Sequence, residues 1–94
     1  MNKLETLDKL VRLLRDRGAI KVAVFGSYLR DEEKPGSDID IIVEFSMRKS
    51  LLDLVKIERE LTEALGIKVD LLTEKSISPY MIDAVKREMK VIYS

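Results

Sequence analysis

The sequence predicts one small α/β domain of the α+β kind, with strands interleaved among helices, and three observations carry that prediction. Apolar residues recur at helical spacing in three segments, each with capping chemistry at an end. Two short runs rich in β-branched and aliphatic residues follow glycines, as strands do. Residues 38–45, lying between those runs, alternate apolar and polar with period two. Ninety-four residues leave room for a single core, and no repeat, linker or low-complexity tract divides them.

The elements follow in order. Asn2 with Glu5 resembles a capping box, and Leu4, Leu7, Leu10, Val11 and Leu14 then repeat at helical spacing. Gly18 suits the left-handed position past a helix end, which predicts a helix over 3–17. Ile20 to Phe25 predicts a strand, Ser27 to Arg30 a helical turn, and Lys34 to Ser37 a turn. In the strand from Asp38 to Phe45, Ile39, Ile41, Val43 and Phe45 share one face; Asp38, Asp40, Ile42 and Glu44 share the other. A connector this short lets these first two strands be antiparallel neighbours, with Gly26 beside Asp38. Ser50 and Asp53 again suggest a capping box. Leu51, Leu54, Ile57, Leu61 and Leu65 form a stripe that Gly66 ends, predicting a helix over 51–65. Lys68 to Thr73 reads as a third strand, Val69 and Leu71 on one face and Asp70 on the other. Ser78 as N-cap with Pro79 at the first helical position opens a helix carrying Met81, Ile82, Val85 and Met89. Val91 to Tyr93 closes the chain as a short strand.

Composition narrows the chemistry. Seventeen basic and seventeen acidic side chains cancel, and no dense basic run offers electrostatic capture of a long nucleic acid. Cysteine and histidine are both absent, so disulfides, thiolate nucleophiles, Cys/His zinc sites and imidazole acid–base catalysis are excluded. Carboxylates, hydroxyls, Lys, Arg and bound hard cations remain. Oxygen-only donors favour Mg²⁺, with Mn²⁺ as an alternative. No secretory pattern and no apolar stretch of ~18–20 residues is visible, so a cytoplasmic protein without a membrane partner is expected. Glutamine is absent and Asn2 is the single asparagine among many Lys, Glu and Arg, a bias that fits a heat-adapted source.

The chemistry concentrates in residues 26–40. Gly26-Ser27 ends a strand with a turn whose N–H groups and hydroxyl suit a phosphate, and Asp38 and Asp40 follow ten residues later on one strand face. Two carboxylates on one dry face need a cation between them to stay ionised. A pair of Mg²⁺ ions ~3.5–4 Å apart meets that need. Asp70, polar in an otherwise apolar strand, is the expected third carboxylate and a candidate base for an attacking hydroxyl. Asp38, Asp40 and Asp70 are thus the candidate catalytic and metal-binding residues. Gly26, Ser27 and Arg30 are the candidate nucleotide-binding residues. The reaction they suit is in-line attack on an α-phosphorus with pyrophosphate leaving. Taken singly, each has a plainer role: Asp38 and Asp40 as a solvated strand face, Ser27 as an N-cap, Arg30 as a surface charge, Asp70 as a partner of Lys68.

Gly26-Ser27 followed by Asp38-Ile39-Asp40-Ile41 resembles the nucleotidyltransferase superfamily that includes DNA polymerase β, and more closely its minimal nucleotidyltransferase (MNT) domains. Asp70 matches that family's third aspartate. Ser27-x-x-Arg30, Ser37-Asp38, Ser50-Leu51-Leu52-Asp53-Leu54 and Lys68-Val69-Asp70-Leu71 are similar as well, so the likeness spans most of the chain. Asp31 departs from the glycine that many relatives carry after the arginine, which bears on the shape of that loop. The resemblance implies a nucleotidyltransferase fold with a small mixed sheet of about three strands flanked by helices. It further implies two Mg²⁺ ions, ATP as donor, and transfer of AMP to a tyrosine hydroxyl of an all-helical HEPN toxin that the MNT protein silences. Larger nucleotidyltransferases present the acceptor on added domains. A chain of this size is expected to take it from a partner, in a hetero-oligomer. Tyr28, Tyr80 and Met81 are candidate contact residues. A non-catalytic antitoxin that neutralises by binding alone is the alternative, and transfer to a small hydroxylated compound is a further one.

Overall fold

The computed structural model describes residues 3–25 and 39–94. The expectations for Asn2 and for the turns at 27–30 and 34–37 fall outside the described residues. Helix α1 spans Lys3–Asp16, strand β1 Ala19–Phe25, strand β2 Ile39–Phe45, helix α2 Leu51–Leu65, strand β3 Val69–Leu72, helix α3 Ile82–Glu88 and strand β4 Lys90–Tyr93, with a 3₁₀ turn at Glu74–Ser76. The sheet order is β3-β2-β1-β4. Strand β1 pairs antiparallel with β2 and with β4, while β2 and β3 run parallel, so the sheet is mixed and the C-terminal run supplies a fourth strand.

Periodicity builds the core. Leu10 and Leu14 of α1 and Ile57, Leu61 and Leu65 of α2 pack on one face of the sheet, against Val22, Val24, Ile39, Ile41, Val43, Val69 and Leu71. A fully buried Leu or Ile is worth ~1.5–3 kcal/mol, and this single layer of helices supplies most of the driving force. Several residues of the predicted stripes fall outside the core: Leu4 is 79% exposed and Leu51 76%, Val11 is half-buried, and no residue of α3 is buried. Leu4 and Leu51 both sit in the first turn of their helix.

The caps explain the ends. Ser50 Oγ accepts from Asp53 N at 3.1 Å and Asp53 Oδ2 accepts from Ser50 N at 3.2 Å, the reciprocal box expected at the start of α2. Gly66 closes α2 at φ 70°, in the left-handed region. Gly18 turns the chain out of α1 at φ 93°, and its carbonyl accepts from Ser46 N at 2.9 Å, tying the start of β1 to the end of β2.

Several boundaries differ from the sequence expectation, and at β1 and α3 the contacts give the reason. Strand β1 starts at Ala19 and carries a register shift between Ala19 and Lys21, which turns Ile20 out of the core to 46% exposure. Ser78 does cap, its Oγ accepting from Tyr80 N at 3.3 Å and its carbonyl from Met81 N and Ile82 N. That first turn is tight, however, and the regular helix begins at Ile82 with Met81 as its N-cap residue.

Candidate active site

Pairing register decides where the carboxylates meet. Within the parallel pair, Ile39 lies opposite Val69, Asp40 opposite Asp70 and Ile41 opposite Leu71. Because side chains alternate along a strand, the core residues Ile39, Ile41, Val69 and Leu71 turn to the helices, and Asp40 and Asp70 share the other face. Adjacent strands lie ~4.8 Å apart, so two carboxylates in matched register are within reach of one divalent cation. Both aspartates are half-buried. On the same face, Ala23 and Ile42 are 1% and 5% exposed, so the acids border an apolar patch.

Backbone contacts lock this register. Ile39 N donates to Lys68 O at 2.9 Å, joining the start of β2 to β3 just before the two aspartates. Strand β3 is a sheet edge, and its outward N–H groups are taken by side chains of α2: Val69 N donates to Thr62 Oγ1 at 3.0 Å and Leu71 N to Glu58 Oε2 at 2.8 Å. Asp70 stands between those two anchored residues. Glu58 and Thr62 therefore act through Asp70, and the sequence reading missed both. The available signal was their i, i+4 spacing on the flank of the stripe that packs on β3.

Of the predicted site residues, Asp40 and Asp70 are brought together. Asp38, Gly26, Ser27 and Arg30 lie outside the described residues. The described residues that bound that segment, Phe25 and Ile39, stand at the same end of the sheet, since Phe25 is paired with Asp40. Among the described residues no group of three acidic side chains gathers to hold a metal. The described pair nevertheless fits a hard divalent cation: oxygen donors only, anionic, in register and partly shielded from water. Tyr80 and Met81, two of the candidate contact residues, are 97% and 59% exposed, and Tyr28 is outside the described residues.

A family model described as a nucleotidyltransferase domain matches residues 7–92. The chain belongs to that family. A Methanocaldococcus jannaschii protein that carries a provisional name of protein adenylyltransferase is 48% identical over 88 residues, spanning 94% of this chain and 95% of the relative. A crystal structure of a toxin–antitoxin with AMP-PNP superposes with a TM-score of 0.84 at 27% identity, over 100% of this chain and 74% of that one. The tri-AMPylated HEPN toxin of Shewanella oneidensis in complex with its MNT antitoxin matches with a TM-score of 0.81 at 26% identity, over 99% of this chain and 73% of that one. The mixed sheet with helices is the arrangement expected of a minimal nucleotidyltransferase. Among the described residues no helix is long and apolar enough to cross a membrane.

Proposed function

We propose that this nucleotidyltransferase moves AMP from ATP onto a tyrosine hydroxyl of a HEPN-type toxin and thereby acts as its antitoxin. The observation that carries the proposal is the Asp40–Asp70 register pair at the Phe25 end of the sheet. The similar complexes support the donor and the partner, since one holds AMP-PNP and another an AMPylated HEPN toxin.

Asp40 and Asp70, with Asp38, would hold Mg²⁺. When bound, the ion offsets triphosphate charge and acidifies the acceptor hydroxyl. The chain's own groups do the rest. Gly26 and Ser27 offer N–H groups and a hydroxyl to the phosphates, and Arg30 a guanidinium. Asp70 accepts the proton of the attacking hydroxyl as its oxygen bonds the α-phosphorus, the bond to the bridging oxygen breaks, and pyrophosphate departs. With histidine absent from the sequence, a carboxylate is the available base.

The test asks whether a neighbouring gene encodes an all-helical HEPN-type protein and measures the intact mass of that protein after incubation with this chain, ATP and Mg²⁺. The expected result is an increment of one or more AMP units, lost in Asp38→Ala and Asp40→Ala. Neutralisation that survives both substitutions with no adduct at any time would assign the chain to antitoxins that work by binding alone.

A further inference from the structure

One residue before β3 begins, the chain is already held in the sheet. Ile39 N donates to Lys68 O at 2.9 Å, and the next residue, Val69, is 1% exposed with its own N–H on Thr62 Oγ1. The alternation that turns Val69 and Leu71 to the helices therefore extends back to Lys68. It sets Lys68 on the face of Asp70, two residues or about 6–7 Å away along the strand. Lys68 is exposed there, and its flexible four-carbon stem carries three donors. Both neighbours that fix its backbone, Ile39 and Val69, are core residues, so the base of this side chain is anchored while its head reaches into solvent.

Position across the sheet decides what this cation can meet. The cation that β1 to β3 themselves place on the face, Lys21, lies opposite Glu44, four residues along β2 from Asp40. Lys68 stands at the Asp40–Asp70 end instead. The sheet order β3-β2-β1 also gives the proposed reaction a direction. Asp70, on β3, receives the hydroxyl proton, and Gly26-Ser27, which follow β1 in sequence, take the phosphates that leave. In-line displacement then runs from the β3 side toward the β1 side, with the α-phosphoryl group between. Lys68 is on the β3 side, away from the departing pyrophosphate. The anion within its reach is the α-phosphoryl group, whose non-bridging oxygens are what a lysine clamp stabilises during transfer.

We infer that Lys68 is a further catalytic residue of this reaction, its ammonium bonded to a non-bridging oxygen of the α-phosphoryl group as that group passes from pyrophosphate to the acceptor. The inference rests on AMP transfer as proposed above. Lys68 takes no part in the proton transfer, which stays with Asp70. It remains an ammonium from ATP binding to pyrophosphate release, and its contribution is charge placed where the transferred group is held.

The test compares the parent with Lys68→Met, which keeps the stem and removes the charge, and with Lys68→Arg, which keeps the charge. AMP transfer to the HEPN-type protein gives kcat and KM for ATP, and phosphorus NMR of bound AMP-PNP with Mg²⁺ reads each phosphate separately. Lys68→Met is expected to lose about 100-fold in kcat with KM for ATP within about threefold of the parent, and Lys68→Arg to recover most of the rate. The α-phosphorus resonance of AMP-PNP should move in Lys68→Met, while the β and γ resonances stay. Because the side chain is exposed, Lys68→Met should melt with the parent and bind Mn²⁺ no more weakly. A kcat within about twofold of the parent would overturn the inference, as would an unmoved α-phosphorus resonance. A loss of Mn²⁺ affinity that matches the loss of rate would also overturn it, making Lys68 a support for the aspartates. AMP transfer by the parent stands in each of those cases. A parent that forms no adduct would remove the AMP-transfer proposal, and this inference with it.

Discussion

Glu58→Ala removes the oxygen that receives Leu71 N at 2.8 Å, and Leu71 is the residue after Asp70. The bond is partly buried, so water replaces the carboxylate incompletely. A hydrogen bond to a charged group is worth about 1.5–3 kcal/mol, and the partial exposure here places the loss at about 1.5. A domain of this size loses about 4–8 °C of Tm per kcal/mol, so Glu58→Ala should melt about 6–12 °C below the parent. Glu58→Gln keeps an acceptor oxygen at the same reach and should recover most of that loss. Thermal melts by circular dichroism read the stability, and AMP transfer at subsaturating Mg²⁺ reads the site. In Glu58→Ala the Mg²⁺ requirement should rise, because the strand that holds Asp70 is loosened. An Ala variant that melts with the parent and needs no more Mg²⁺ would refute the positioning argument.

Other expectations follow from the same contacts. Leu61→Ala opens a cavity between α2 and the sheet where the side chain is 2% exposed, and should cost about 2–5 kcal/mol in chemical denaturation. Gly66→Ala meets no atom within 4 Å but forces a side chain on a residue at φ 70°, so a loss of about 1 kcal/mol by urea titration is expected from backbone strain alone. Asp53 has its pKa lowered below 3.8, first by the Ser50 hydroxyl, then by the Ser50 N–H and by Lys49 and Lys56. A carboxyl whose folded pKa is depressed stabilises above its ordinary value, and that contribution is lost as pH falls through the depressed one. The stability gap between the parent and Asp53→Asn should therefore narrow as a denaturation series passes below pH 3.8.

Much of this was legible because local chemistry and tertiary role agree. The alternation of Ile39, Asp40 and Ile41 matches a strand whose one face meets helices, and Ser50, Asp53 and Gly66 mark the ends of α2 through the bonds they make. Asp70 stood out as a polar residue between two core residues, Val69 and Leu71. What escaped depends on partners distant in sequence. Glu58 and Thr62 look like helix-surface residues until β3 is known to be an edge whose N–H groups need acceptors. Ile20 looks like core until the register shift after Ala19 turns it outward. Leu51 fits the apolar stripe of α2 but stands 76% exposed in its first turn. The matched register of Asp40 and Asp70 is likewise a property of parallel pairing, which no single segment encodes.

The central claim is that Asp40 and Asp70 act as one cation site, and a double-substitution cycle on metal binding tests it most directly. Mn²⁺ affinity in the presence of a non-hydrolysable ATP analogue would be read by electron paramagnetic resonance for the parent, Asp40→Asn, Asp70→Asn and the double variant. Shared coordination gives each single variant nearly the full loss seen in the double, because residues bound to one ion are not additive. Losses that simply add, or an Asp70→Asn variant that binds Mn²⁺ as the parent does, would contradict the account.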